Sequence, residues 1–270
     1  MAPRILSSRL RSVVASFLVA AAGLALVGCM DQAAEHRTRA NAFLRGGDAN
    51  AALTECDLGL GSKKDNVPLL ILRGKALFEL DRLPDARVDF DKAVALSGDA
   101  EPRSLSEAYL GLAMVATRQK DWAAARHQFE MLVKASPKDA VSHLNVARTC
   151  VELKDLACAV AQGEEAAHLR GNDEPVLYTL GTIYVAADKL QDAESTFQHI
   201  CEVIPGAATC PYGLAIVAAK KGDKTRALTQ LREAVKRKLP NPEKIASESA
   251  FAPIKDDPEF LAIAEQARQR

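Results

Sequence analysis

The sequence has few aromatic residues, no excess of charge of either sign and no C-x-x-C cysteine pair. Aromatics make up 5% of its 270 residues, while alanine and leucine are abundant. Because aromatic and β-branched side chains prefer strands, this composition favours packed helices. The 35 basic residues balance 35 acidic ones, which gives no reason to expect nucleic acid as a partner. The absence of a C-x-x-C pair argues against a zinc site.

The motifs of common catalytic and cofactor sites are also missing. There is no G-x-S-x-G, no H-E-x-x-H, no phosphate loop and no Rossmann glycine pattern. Glu165 and His168 have the spacing of carboxylate-bridged metal sites, but such sites need a second copy and further glutamates. We therefore predict no catalytic residue, no metal, no cofactor and no small-molecule substrate.

The N-terminal segment is basic and then apolar. Arg4, Arg9 and Arg11 precede an apolar run over 13–27, which is short for a membrane-spanning helix of about 20 residues. The run ends in Leu-Val-Gly-Cys at 26–29. This ending resembles the lipobox of bacterial lipoproteins, in which the cysteine is acylated and the peptide before it is removed.

The lipobox resemblance implies a signal peptide over 1–28 and a short tether over 29–32 with acylated Cys29. Several acyl chains (palmitate among them) would hold the chain firmly at a membrane, since each buried methylene contributes about 0.8 kcal/mol. Met30 follows the cysteine, where aspartate retains enterobacterial lipoproteins at the inner membrane. The resemblance thus implies an outer-membrane location that faces the periplasm. An uncleaved anchor helix and an ordinary signal peptide with a chance cysteine remain alternatives.

Small residues recur along the rest of the chain at a fixed interval. Ala52, Ala86, Ala125, Ala159, Ala193 and Ala227 are separated by 34, 39, 34, 34 and 34 residues. Twelve residues before each of them stands another alanine or a glycine. The single longer interval predicts five extra residues in a loop around 99–104. Aspartate recurs around the start of each predicted second helix, at 46–48, 83–85, 120–122, 154–156, 188–190 and 222–224, with glycine in the first and last of these segments and proline in the second. These residues suit helix caps and turns.

A period of 34 residues resembles the tetratricopeptide repeat, a pair of helices joined by a turn. The match is closest around Leu180, Gly181, Tyr184, Ala193 and Phe197. It implies an all-α fold, a right-handed superhelical α-solenoid of about six helix-turn-helix repeats with a C-terminal capping segment over 242–270. The repeats are predicted over 33–241, at 33–66, 67–100, 106–139, 140–173, 174–207 and 208–241.

In this family the first helix of each repeat lines a concave groove. The matching positions here are Arg37, Asn41, Leu44, Ile71, Lys75, Phe78, Leu110, Met114, Leu144, Arg148, Val151, Tyr178, Val185, Tyr212 and Ile216. An apolar strip of this kind suits an extended peptide or an amphipathic helix of another protein. Some of these residues could instead pack in the core or lie under the capping segment. Phe78 and Glu107 stand where a carboxylate clamp needs asparagine and lysine, so binding of chaperone tails is not predicted.

Four cysteines lie at helix ends that the repeat brings together. Cys201 closes the second helix of one repeat and Cys210 opens the next repeat, while Cys150 and Cys158 flank a turn. An exported chain meets an oxidising compartment, so we predict both disulfides. Cys56 stands at an aromatic position and is predicted to be a buried thiol. The alternative is that all five cysteines are small core fillers.

Together these features predict a lipid-anchored scaffold that recruits or assembles proteins of the bacterial envelope. A sharper version is a pilotin-like factor for an outer-membrane secretin or type IV pilus, because such factors combine a lipobox with six repeats. The alternatives are an accessory subunit of a cell-wall enzyme and an oligomer whose groove is filled by a neighbouring copy.

Overall fold

The computed structural model describes residues 32–97 and 102–269, and these contain helices and turns but no strand. The segment with the predicted signal peptide and Cys29 lies outside the described residues. The α-helices are α1 Gln32–Arg45, α2 Ala49–Ser62, α3 Val67–Glu79, α4 Leu83–Ser97, α5 Pro102–Arg118, α6 Trp122–Ala135, α7 Ala140–Glu152, α8 Leu156–Leu169, α9 Glu174–Ala186, α10 Leu190–Val203, α11 Thr209–Lys220, α12 Lys224–Lys236 and α13 Pro258–Arg268. Two 3₁₀ segments, Pro242–Ser247 and Ser249–Ile254, precede α13.

The chain divides into two compact units, 1–115 and 116–270. In the first unit, α1 to α4 pack each on the next, and side chains of α5 join the same core. In the second unit, α6 to α12 pack in the same consecutive manner, and α13 packs on α12. This arrangement of helix-turn-helix pairs confirms the all-α repeat fold.

Small residues lie buried where the paired helices cross. The six alanines spaced by the repeat are all 0% exposed. Phe90 fills the space beside two glycines, Gly74 and Gly111, where an added Cβ would lie 2.7 and 2.4 Å from its ring. The ring can approach a helix backbone this closely only at a residue that lacks a side chain.

The turn inside each repeat places one residue in the left-handed region. The φ angles lie between 57° and 79° at Gly47, Asp81, Lys120, Lys154, Asp188 and Gly222. The next residue is the N-cap of the second helix, and in four repeats its carboxylate accepts a backbone N–H, at Asp48, Asp121, Asp155 and Asp223. The cap predicted at 188–190 is Lys189, which makes no side-chain cap bond. Asp85 lies inside the first turn of α4 rather than before it.

Part of the five-residue insertion lengthens a helix by four residues, where the sequence predicted a loop. α5 begins at Pro102 and has 17 residues, whereas α3, α7 and α9 have 13 each. Proline suits the first turn of a helix because its missing N–H would have no partner there. Pro102 and Ser104 are therefore helical, which corrects the expected loop over these residues.

The C-terminal segment covers the last repeat. Phe251 packs between Tyr212 and Phe260, with ring centroids 6.1 and 5.6 Å apart. Residues 210–219 of α11, which also packs on α10 and α12, are all buried. In the described part of the chain, no helix combines the length and apolar character needed to cross a membrane.

Candidate functional site

The residues predicted to line the groove differ in exposure. Arg37, Leu110, Met114 and Arg148 are exposed, and Asn41, Leu44, Lys75, Val151, Tyr178 and Val185 are half-buried. Five are buried: Ile71, Phe78, Leu144, Tyr212 and Ile216. Tyr212 and Ile216 share a core cluster with Phe251 and Ile254 of the C-terminal segment, which corrects the prediction that they face an open wall.

A cavity of about 530 Å³ opens in the second unit, and we name it the Trp122 cavity. Its apolar lining comes from Trp122, Phe129, Val151, Tyr178 and Ile183, and its polar lining includes Asn145, Arg148, Thr179 and Thr182. Most of these side chains project from the first helices α7 and α9. The sequence prediction named Arg148, Val151 and Tyr178 of this set, so these three are brought together.

Hydrogen bonds fix the polar part of the Trp122 cavity. The Arg148 guanidinium donates to Thr179 Oγ1 at 3.2 Å, and that hydroxyl donates to the Pro175 carbonyl at 2.7 Å. Burial, reinforced by the charge of Glu248, raises the pKa of Tyr178 to about 12, so its hydroxyl stays protonated at neutral pH. The cavity therefore offers the remaining N–H groups of Arg148 and the Tyr178 hydroxyl beside an apolar surface.

Sequence reasoning missed Trp122 and Phe129 because both lie on α6, a second helix of its pair. The family rule assigns groove positions to first helices alone. Trp122 is the only tryptophan of the chain, and it follows directly after the cap residue Asp121. A large aromatic at the start of a second helix was the available signal.

A second cavity, of about 790 Å³, lies in the first unit, and we name it the Arg37 cavity. Its charged lining consists of Arg37, Arg45, Lys75, Arg103 and Glu107. Lys75 Nζ lies 2.8 Å from Glu107 Oε2, and Arg103 Nε lies 3.4 Å from Oε1. Burial alone would raise the pKa of Glu107, but Lys75 and Arg103 outweigh it and lower that pKa, so the carboxylate is charged.

A narrow cavity of about 60 Å³, the Met114 slot, also lies in the first unit. Phe78, Phe90, Leu110 and Met114 supply its apolar lining. Lys75 and Glu107 line both this slot and the Arg37 cavity, so the two cavities are neighbours that share the Lys75–Glu107 ion pair as part of their walls. The predicted groove residues of the first unit are thus divided between a charged and an apolar part.

In other clusters, the polar and ionisable side chains form hydrogen bonds and ion pairs within the protein. Arg73 donates to both oxygens of Asp89 at 2.7 Å and to Asp57 at 3.0 Å, which raises its pKa above the ordinary value. This bidentate pair ties α3 to α4, and the third bond ties it to α2. His143 is buried, with its ring nitrogens bonded to Gln162 and to the Pro137 carbonyl. These bonds give both clusters a structural role.

The structure joins four cysteines in two disulfides. The Cys150 and Cys158 sulfurs lie 2.10 Å apart across the α7–α8 turn, and those of Cys201 and Cys210 lie 1.91 Å apart between α10 and α11. Asp155 lies close to the first pair, but two sulfurs bonded to each other offer no thiolate to a metal ion. Cys56 is free and buried, and burial raises the pKa of its thiol to about 12.

Comparison with known proteins gives a family model and distant relatives. The tetratricopeptide-repeat model matches residues 71–140 and 110–174. The tetratricopeptide repeat and J domain-containing co-chaperone DNJ1 of Fusarium oxysporum f. sp. lycopersici is 27% identical over 183 residues, which are 63% of this chain. The chain spans 33% of the length of that relative.

Solved structures share the fold at low sequence identity. YrrB, described as a tetratricopeptide-repeat protein with an unusual peptide-binding site, has a TM-score of 0.54 at 20% identity, covering 80% of this chain and 98% of its own. PilW, described as a type IV pilus biogenesis factor, has a TM-score of 0.62 at 16% identity, covering 86% and 97%. The matched family model describes a repeat and indicates no catalytic domain.

Proposed function

We propose that this chain, a tetratricopeptide-repeat protein, is a scaffold that binds another protein in the Trp122 cavity while acylated Cys29 holds it at a membrane. The observation that carries the proposal is the cavity itself, about 530 Å³ of open space lined by three aromatic and two aliphatic side chains together with polar ones. Apolar surface of this extent, with a few fixed polar groups, is typical of a binding site.

The chemistry of the lining indicates the kind of ligand. Trp122, Phe129 and Tyr178 offer aromatic surface, and aromatic residues dominate the binding energy of protein interfaces. Arg148, Asn145 and Thr182 can bond the backbone or polar side chains of a peptide. An extended segment or one face of an amphipathic helix would meet both requirements. The peptide-binding site named for YrrB supports this kind of ligand.

Matched substitutions on one helix test the site. Val151→Asp places a charge in the cavity, whereas Val141, 48% exposed on the same helix α7, lies outside the lining. We expect affinity purification from the native host to lose its protein partners with Val151→Asp and to keep them with Val141→Asp. Equal recovery by both variants, with unchanged circular dichroism, would refute binding in this cavity.

The membrane anchor is a separate part of the proposal. The run Leu-Val-Gly-Cys at 26–29 after a basic and apolar leader supports acylation of Cys29 and placement at the outer membrane, facing the periplasm. In a Gram-negative host, we expect labelled palmitate to enter the wild-type chain but not Cys29→Ser. The wild-type chain should float with outer-membrane vesicles in a density gradient. Palmitate incorporation into both chains, or into neither, would contradict this assignment.

A finer version places the scaffold in assembly of a type IV pilus secretin. The structural likeness to PilW, together with the lipobox, supports it. Deletion of the gene should then reduce secretin multimers in the outer membrane, and the secretin should be recovered with the purified scaffold. Normal multimers in the deletion strain would exclude this version and leave the wider scaffold proposal standing.

A further inference from the structure

The wall of the Arg37 cavity carries more positive than negative charge. Arg37, Arg45, Lys75 and Arg103 line it together with one acid, Glu107. Lys75 and Arg103 both pair with that acid, at 2.8 and 3.4 Å. Among the residues that the structure describes, no carboxylate pairs with Arg37 or Arg45. The described lining of this wall therefore presents a net positive charge to a ligand.

The break in the repeat period lies at the same place. The additional N-terminal turn of α5 carries Arg103 and Ser104, and both line the Arg37 cavity. A first helix of 13 residues, the length of α3 and α7, would begin after Arg103. The additional helical residues thus extend the basic wall by Arg103 and Ser104.

The Met114 slot gives this wall an apolar extension. Leu110 and Met114 are each 40% exposed, although both are large apolar side chains. Phe78 and Phe90 line the slot behind them. Because Lys75 and Glu107 line the slot and the Arg37 cavity alike, one ligand can occupy both. Its chemistry must then change from anionic to apolar along its length.

We infer that the first unit binds an acidic peptide segment with an adjoining apolar anchor such as leucine or phenylalanine. The inference rests on the proposed function and adds the chemical class of a second ligand segment. Carboxylates of the segment face Arg37, Arg45 and Arg103, whose guanidinium groups match carboxylate geometry. The apolar anchor enters the Met114 slot.

Methionine methyl resonances provide a local readout. The chain contains four methionines, Met1, Met30, Met114 and Met131, so the spectrum is simple and a Met114→Leu variant assigns the slot residue. The probes are the peptides Glu-Glu-Glu-Leu-Phe-Leu and Leu-Phe-Leu-Glu-Glu-Glu, blocked at both ends so that no terminal carboxylate is offered. We expect one of them to shift the Met114 methyl resonance of the full chain and to saturate.

Control peptides separate the two parts of the ligand. Lysine in place of glutamate should abolish the shift, and serine in place of the apolar residues should remove it as well. Added salt should weaken binding of the acidic peptide because the interacting charges are solvent-exposed. Equal Met114 shifts with the glutamate and lysine peptides, or no shift with any probe, would overturn the inference.

Charge reversals on the protein test the same point. The double variant Arg37→Glu with Arg45→Glu should lower the affinity for the acidic peptide by about tenfold or more at low salt, mainly through slower association. Lys63→Glu with Lys64→Glu makes the same change in net charge at exposed lysines in the α2–α3 turn, and should change affinity less than about twofold. Equal weakening by both pairs would refute a specific role for the Arg37 cavity.

The two binding proposals fail independently. A probe that changes Trp122 fluorescence without shifting Met114 would overturn this inference and leave the Trp122 cavity in place. Saturable binding at Met114, combined with partner recovery that Val151→Asp leaves unchanged, would refute the Trp122 cavity and support the basic wall.

Discussion

Gly213 offers a test of the close helix contacts, because a ring rather than a flexible chain end fills the space beside it. A Cβ at Gly213 would lie 2.3, 2.4 and 2.5 Å from three atoms of the Phe197 ring. Phe197 is 0% exposed and also meets Gly181, so the ring has no free space to enter. Gly213→Ala should therefore cost about 2–3 kcal/mol through overpacking, near the upper part of the usual range.

The helix propensity of alanine offsets part of that cost. Replacing a glycine inside a helix by alanine gains about 1 kcal/mol, so the net loss at Gly213 should be about 1–2 kcal/mol. Gly61 in α2 is the matched control, since nothing lies within 4 Å of a Cβ added there. Gly61→Ala should raise stability by about 0.5–1 kcal/mol.

Urea unfolding followed by far-UV circular dichroism measures both changes. Phe197→Leu should reduce the cost of Gly213→Ala, giving a coupling energy within the range of about 0.5–3 kcal/mol seen for residues in contact. A Gly213→Ala chain that is as stable as the Gly61→Ala chain would refute the packing argument. Additive effects of the two core substitutions would do the same.

Three further predictions concern turns and the free thiol. Lys189→Asp should raise the free energy of unfolding by about 0.5 kcal/mol, because a new side-chain cap of about 1 kcal/mol, as aspartates provide for α2, α6, α8 and α12, outweighs loss of the contact between the Lys189 ammonium and the Tyr184 ring. An unchanged midpoint in thermal or urea unfolding would contradict this. Lys154→Gly should gain about 0.5–1 kcal/mol, because relief of a left-handed φ of 60° exceeds the entropy cost of glycine, and a loss of stability would show that the turn is unstrained. In the Cys29→Ser chain, Cys56 should resist a disulfide reagent at pH 8 until the chain is unfolded, because burial raises the pKa of its thiol to about 12. Rapid labelling of the native chain would contradict this burial.

The sequence predicted the fold well because its signals are local and periodic. The alanines from Ala52 to Ala227 mark a helix crossing in every repeat, and each is buried as the spacing requires. Asp48, Asp121, Asp155 and Asp223 mark helix starts by chemistry that needs no tertiary context. The spacing and the caps together were therefore enough to place the helix-turn-helix pairs.

The site was harder to predict because exposure depends on tertiary neighbours. Tyr212 occupies a groove position in the repeat, yet Phe251, far along the chain, covers it. Trp122 faces the cavity from a second helix, which a rule confined to first helices cannot detect. The position of Arg103 depends on how the insertion folds, and an insertion can form a loop or an extra helical turn with similar composition. These three outcomes were set by packing rather than by sequence pattern.

Site-specific photo-crosslinking in living cells tests the central claim most directly. A photoreactive amino acid at Val151 stands in the Trp122 cavity, and the same amino acid at Val141 stands on the same helix outside the cavity lining. We expect ultraviolet light to join the chain to a discrete protein partner from position 151 and not from position 141. Identical crosslinked products from the two positions, or none from position 151 in cells that express the folded chain, would contradict the claim that this cavity binds a protein.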